Sequence, residues 1–168
     1  DKDYDGPVTG SPDSQKHIMT EADRKHFENL YDGVIKYNDS CLGELRDFLD
    51  RKGELDDTLL VICADHGDAF GEHGQFGHGI APHEGVIHVP LIVRPPEKDP
   101  DYGDIEELVS HIDFYPTLAN YAPSVDLPEE IRDSLQGKSF EAAFSGKQID
   151  GHDRIYCDSE PDDVKPTY

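Results

Sequence analysis

At 168 residues with 35% hydrophobic content, the chain is long enough to bury a core, and one compact domain is the default expectation. Its formal net charge of -22 comes from 37 acidic against 15 basic residues scattered along the chain. That balance excludes a nucleic-acid partner, which needs clustered Lys and Arg for phosphate contacts, and an acidic membrane surface would repel it. Scattered acid of this density, with Asp outnumbering Glu, also predicts a protein adapted to high salt, where ions screen the self-repulsion.

Residues 1–19 open with Asp, Gly, Pro and Ser and show no period, so they read as a loop or linker. Thr20 followed by Asp23 predicts a capping box with Asp in the Glu position. Apolar residues then recur at helical spacing from Phe27, Leu30, Tyr31 and Val34 through Leu45, Phe48 and Leu49. A long amphipathic helix is expected, ending at Lys52 and Gly53 with basic residues in its last turn and Gly as a left-handed cap.

A β-branched and apolar run, Thr58 to Ala64, reads as a buried strand of a parallel sheet. It leads into Asp65-His66-Gly67, and strand ends in open α/β sheets are where loops present polar groups on a rigid support. A second apolar run, Val89 to Val93, predicts another strand, with Pro90 at its first position. Residues 64–88 between the two runs lack apolar periodicity, yet they hold five of the nine histidines: His66, His73, His78, His83 and His88. A loop that long inside a domain is usually functional or disordered, and its histidine content favours function.

Further on, Leu108 to Ile112 predicts a short strand and Asp113 a cap for a helix over Phe114 to Tyr121, with Pro116 in its first turn. Pro123 to Pro128 reads as a turn-rich connection, Ser139 to Phe144 as a short helix and Arg154 to Cys157 as a last strand. Leu42, Leu45, Leu49, Leu60, Ile62, Leu91 and Val93 are the expected core. Cys41, Cys63 and Cys157 have no close pair, so reduced thiols are expected, with Cys63 a small buried residue of the strand. No apolar run approaches the ~20 residues of a spanning helix, and the first residues carry no signal-peptide pattern; with reduced thiols this gives a cytoplasmic expectation and no membrane anchor in this segment.

Taken in order, these residues carry a resemblance. Tyr31-Asp32-Gly33-Val34-Ile35 through Asp39, Leu42-Gly43 and Leu49, then Asp57 to Val61, Asp65-His66-Gly67 and Gly71-Glu72-His73-Gly74 are similar to the carboxyl-terminal part of the sulfatase family, within the alkaline phosphatase superfamily. Glu84, Val89-Pro90-Leu91-Ile92, Val109 to Asp113, Pro116-Thr117-Leu118 and Gly137-Lys138-Ser139 continue the match. The resemblance implies an α/β fold with a partly parallel sheet flanked by helices, alkaline-phosphatase-like and incomplete. It divides the chain into a linker at 1–19, the carboxyl-terminal part of a catalytic domain at 20–145 and a terminal extension at 146–168.

It further implies hydrolysis of sulfate esters around a divalent cation, with Asp65 an ionised oxygen ligand and His66 a neutral imidazole ligand or an oxyanion contact. Calcium suits the carboxylate, and the imidazole leaves room for manganese, magnesium or zinc. His78 resembles the basic position that contacts the sulfate and the leaving-group oxygen, a catalytic and substrate-binding role as general acid; His83 is a second substrate-binding candidate. His73 and His88 read as structural. The family nucleophile, a Cys, Ser or Thr in a C/S-x-P-x-R setting, and the amino-terminal aspartate ligands have no counterpart here. The segment is therefore expected to be inactive alone and to need the remainder of the catalytic domain as partner. The substrate would be a sulfated or phosphorylated small molecule or glycan. A phosphodiester, phosphonate or phosphoglycerol hydrolase of the same superfamily, or a nonenzymatic module that keeps the fold, is the alternative.

Overall fold

A computed structural model describes residues 20–74, 76–78, 82–96, 103–122 and 128–158. The linker expected at 1–19, most of the turn expected at Pro123 to Pro128 and the end of the chain from 159 lie outside the described residues. Two compact units divide the rest: one holds the described residues up to Ile92 with Cys157 and Asp158, the other runs Val93–Tyr156.

In the first unit, helix α1 spans Glu21–Lys52. The capping box forms as expected: Asp23 N–H donates to Thr20 Oγ1 at 3.2 Å while Thr20 N–H donates to Asp23 Oδ2 at 2.8 Å. Acidic Glu21 and Asp23 at the start and basic Arg51 and Lys52 at the end complement the helix dipole. Gly53 closes the helix at φ 73°, a left-handed conformation that a Cβ would penalise, and its N–H returns to Asp50 O. The amino-terminal half of α1 is anchored by aromatic contacts, Tyr31 edge-on to Phe70 at 5.1 Å and Phe27 against Phe76 at 6.4 Å.

A single 3-10 turn, Leu55–Asp57, buries Leu55 and feeds strand β1, Leu60–Cys63. The stretch expected to be one featureless loop contains a hairpin, β2 (Ala69–Phe70) with β3 (Phe76–Gly77), paired antiparallel in the register Ala69 to Gly77 and Phe70 to Phe76. A short 3-10 turn, Glu72–Gly74, lies between them, and a one-turn helix α2, Glu84–Ile87, follows. Strand β4, Leu91–Arg94, begins one residue after Pro90 and is the hydrogen-bonded neighbour of β1 in a two-stranded sheet. Helices and small sheets together give the α/β character expected.

Several expectations fail here. Leu42 and Leu45 are 38% and 47% exposed, because the apolar stripe on α1 stays open to solvent along most of its length, Val34 and Ile35 included; Leu49, Leu60, Ile62, Leu91 and Val93 are half-buried. Cys63 is exposed, since it points away from the covered face of a strand whose burial alternates. All three cysteines are free thiols.

The second unit is built around helix α3, Phe114–Tyr121, with the bounds expected, and helix α4, Glu129–Ser134. Leu108 to Ile112 is not a strand: residues 108–110 are irregular and His111–Asp113 is a 3-10 turn, because the segment's backbone meets single partners, such as His152 N–H on Leu108 O at 2.8 Å, and no ladder. Arg154 to Cys157 likewise forms no strand, and Tyr156 is 85% exposed. The short helix expected near Ser139 is a 3-10 turn, Glu141–Ser145. Asp113 makes no side-chain cap to α3; its carboxylate turns back to Ser110 N–H at 2.7 Å and also accepts from Lys138 N–H at 2.7 Å and meets His152 Nε2 at 2.9 Å. Thr117 carries the connection on, donating to Asp113 O and accepting from Phe140 N–H at 3.0 Å. Phe140 and Phe144 then close the core edge-to-face on each other and on Phe114 and Tyr121.

Candidate functional site

Strand β1 delivers its last residues into an open turn at Asp65, and the chain is redirected at Gly67. There the Gly67 N–H donates to Val86 O at 2.8 Å, so the segment at α2 crosses directly over it. A Cβ on Gly67 would land on the Gly85 carbonyl oxygen, so only glycine allows the approach. This crossing falls between His66 and Asp68.

Asp65 is solvated, its side chain 92% exposed, and its Oδ2 lies 3.8 Å from His66 Nε2. The Asp65 backbone N–H, the neighbouring His66 imidazole and the His66 N–H, which donates to Asp65 Oδ1 at 3.1 Å, hold the carboxyl below its ordinary value of 3.8; His78 adds to this. The group is therefore a carboxylate at neutral pH. His66 has Nδ1 3.1 Å from Gly67 O, a hydrogen bond when Nδ1 carries the proton, which leaves Nε2 with its lone pair. A carboxylate oxygen and an imidazole nitrogen thus lie near one another at the end of β1.

His78 joins them. Its ring packs on that of His66 with centroids 3.9 Å apart and planes 30° from parallel, and its Nδ1 lies 2.8 Å from Asp68 Oδ1. His66, Asp68 and His78 place one ligand atom each within 4.8 Å of the others, a set able to hold a metal ion. Asp68 is the residue that sequence reasoning missed. The available signal was its spacing: in an extended stretch, positions 66 and 68 share a face.

His83 does not stack on this pair; its ring lies 4.1 Å from His73 in a nearly parallel stack, with His73 in a left-handed conformation at φ 55°. Glu72 accepts Phe70 N–H at 2.6 Å; its own backbone N–H, that bond and nearby Arg24 hold its carboxyl below the usual range. His88 pairs with Glu84 at 2.9 Å on the exposed side of α2, a local contact.

The family model described as Sulfatase matches residues 3–124. The choline-sulfatase of Rhizobium meliloti is 37% identical over 136 residues, 81% of this chain and 26% of that protein. The N-acetylglucosamine-6-O-sulfatase of Bacteroides thetaiotaomicron is 33% identical over 94 residues, 56% of this chain and 16% of that protein. Among solved structures, the phosphonate monoester hydrolase of Agrobacterium radiobacter superposes with a TM-score of 0.68 at 27% identity, covering 81% of this chain and 26% of that one. A protein solved with its substrate D-glucosamine-2-N,6-O-disulfate gives a TM-score of 0.52 at 25% identity, over 77% and 26%. The fold is that of part of an alkaline-phosphatase-like α/β domain. The chain spans about a quarter of the length of the first relatives it matches. Among the described residues, no helix is long and apolar enough to cross a membrane.

Proposed function

Because the chain belongs to the sulfatase family, we propose that it supplies one part of the metal and substrate site of a metal-dependent sulfate-ester hydrolase. The observation that carries this reading is the ionised Asp65 and the Nε2 of His66, 3.8 Å apart at the end of β1 and next to His78. The donor chemistry fits a divalent ion: a carboxylate held ionised, and an imidazole whose Nδ1 is occupied by Gly67 O. Asp65 and His66 would hold the ion. Calcium is favoured by the oxygen donor, and manganese, magnesium and zinc remain compatible with the imidazole. When bound, the ion would draw charge from the nonbridging oxygens of the ester.

The remaining roles belong to side chains. His78 gives a proton from Nε2 to the bridging oxygen as the sulfur–oxygen bond breaks and the nucleophile's oxygen bonds to sulfur; the alcohol leaves protonated. His83 is assigned a secondary substrate contact. The nucleophile comes from sequence that this chain does not contain, since Cys41, Cys63 and Cys157 lack the C/S-x-P-x-R setting. The chain by itself is therefore inactive, and the rest of the catalytic domain is its partner. The charge of -22 supports a halophilic source, and the three free thiols support the cytoplasm.

A second reading, hydrolysis of a phosphonate or phosphodiester by the same residues, is favoured by the superposition on a phosphonate monoester hydrolase. The deciding experiment is calorimetric titration of calcium and manganese into the complete protein, wild type and Asp65→Asn, in about 1 M KCl to screen the acidic surface. Loss of stoichiometric binding in the variant is expected. Unchanged binding would remove the metal assignment, and turnover of an aryl sulfate by the 168-residue chain that Asp65→Asn abolishes would overturn its inactivity.

A further inference from the structure

The hairpin β2–β3 does more than fill a loop. Its register pairs Ala69 with Gly77 and Phe70 with Phe76, so the next pair outward in the same antiparallel register is Asp68 with His78. Two strands of two residues each thus set a carboxylate opposite an imidazole across 10 residues of chain. The 2.8 Å separation of Asp68 Oδ1 and His78 Nδ1 is that of a charge-assisted hydrogen bond, and such a contact requires a proton between the two atoms. Asp68 is the more covered partner, its side chain 30% exposed against 55% for His78. The opposite face of the His78 ring is limited by His66 at 3.9 Å. One edge and one face of the ring are therefore both held.

From this geometry we infer that Asp68 is the positioning residue of His78: its carboxylate fixes the ring and holds the proton on Nδ1, so that Nε2 is the atom left for chemistry. This rests on the role proposed above for His78. A histidine that passes a proton through Nε2 works from a fixed tautomer and orientation, and a carboxylate on the far nitrogen is a general way to impose both. His66 is arranged in parallel, with Gly67 O on its Nδ1 in place of a carboxylate. The two stacked rings thus each have Nδ1 engaged and Nε2 remaining, with one acceptor neutral and the other charged. A neutral carbonyl suits an imidazole that stays neutral as a metal ligand, whereas a carboxylate suits one that must carry a proton.

A different use of the same atoms is as a metal-binding triad, since His66, Asp68 and His78 place their donor atoms within 4.8 Å of one another. The two uses are chemically exclusive at His78 Nδ1: one needs a proton on the nitrogen, the other needs its lone pair on the ion.

Both are resolved by nitrogen-15 spectroscopy of the imidazoles in the 168-residue chain labelled at histidine, at about pH 8.5, above the ordinary imidazole range of ~6.5. Wild type is expected to show His78 with the proton on Nδ1. In Asp68→Ala the tautomer ratio should shift toward Nε2–H by roughly tenfold, the effect of removing a charge-assisted bond. Asp68→Asn, whose amide oxygen still accepts, should restore most of the Nδ1–H form, a rescue that a merely structural loss would not show. The backbone amide spectrum of each variant checks that the hairpin remains folded. Identical tautomer ratios in wild type and Asp68→Ala would overturn the inference. Zinc chloride added to the same samples provides the other arm: binding that perturbs His66 alone and survives Asp68→Ala is expected, whereas zinc on His78 Nδ1 that Asp68→Ala abolishes would make Asp68 a ligand and overturn the positioning role. Failure of the Asp65→Asn titration would remove the metal assignment and leave the tautomer result standing.

Discussion

Asp113 offers the sharpest test of how the second unit is held. Its side chain is 1% exposed and faces three donors: Ser110 N–H and Lys138 N–H, each at 2.7 Å, and His152 Nε2 at 2.9 Å. Asp113→Ala removes the acceptor and leaves two backbone N–H groups and an imidazole facing a void. Each stranded buried donor costs about 1–3 kcal/mol, and breaking a buried charged contact from one side typically costs about 3–5 kcal/mol in total. We expect a loss of about 3–5 kcal/mol in this unit, which at about 1.4 kcal/mol per tenfold is two to three and a half orders of magnitude in local opening. The assay is native-state hydrogen exchange read at Ser110, Lys138 and Phe140, because single-transition unfolding is not assured in a chain with two compact units. Asp113→Asn should fall between, keeping one acceptor but turning an amide N–H toward a donor. The exposed Asp65→Ala serves as control, with protection at these three amides expected to stay unchanged. Protection at Lys138 reduced less than about tenfold in Asp113→Ala would refute the reasoning, because the carboxylate would then not be what ties residues 110, 138 and 152 together.

Gly67→Ala should cost about 1–3 kcal/mol, since its Cβ meets the Gly85 carbonyl and forces the crossing segments apart; an unchanged melting temperature would show that the crossing is looser than described. For Asp65, the folded value lies below the ordinary 3.8, so whatever favourable contribution the charge makes is present above the unfolded value and is lost as pH falls through the folded one. A carboxyl titration followed by carbon-13 resonance should give a midpoint below 3.8, and a midpoint at or above it would remove the interactions assigned to its own N–H and to His66. With a net charge of -22, the melting temperature should rise with KCl as the screening length shrinks from about 10 Å at 0.1 M to about 3 Å at 1 M; a flat dependence would sink the high-salt reading.

Local chemistry was legible in the residues. Both ends of α1 could be placed because a cap is decided within a few positions: Thr20 reaches Asp23, and Gly53 supplies the left-handed turn. The same holds for α3 and for a strand running into Asp65 and His66, since apolar pattern and punctuation suffice to specify them. Where apolar runs stood for strands, at residues 108–112 and 154–157, the reading failed, because a strand exists only if another backbone pairs with it, and composition does not reveal the partner.

Relations across distance belong to the tertiary structure alone. The hairpin that sets Asp68 against His78 uses strands of two residues, too short for any periodic signal, and its register depends on the backbone crossing at Gly67 and on Phe70 and Phe76 packing against α1. Asp113 looked like a helix cap because its neighbours in sequence allow one; its actual partners, Lys138 and His152, lie 25 and 39 residues away. The sequence by itself determined the family, the long helix and the identity of the chemical groups at the strand end, since those are matters of pattern and residue type. Only folding decided which carboxylate faces which imidazole, because a hydrogen bond depends on angstroms of separation that residue order does not encode.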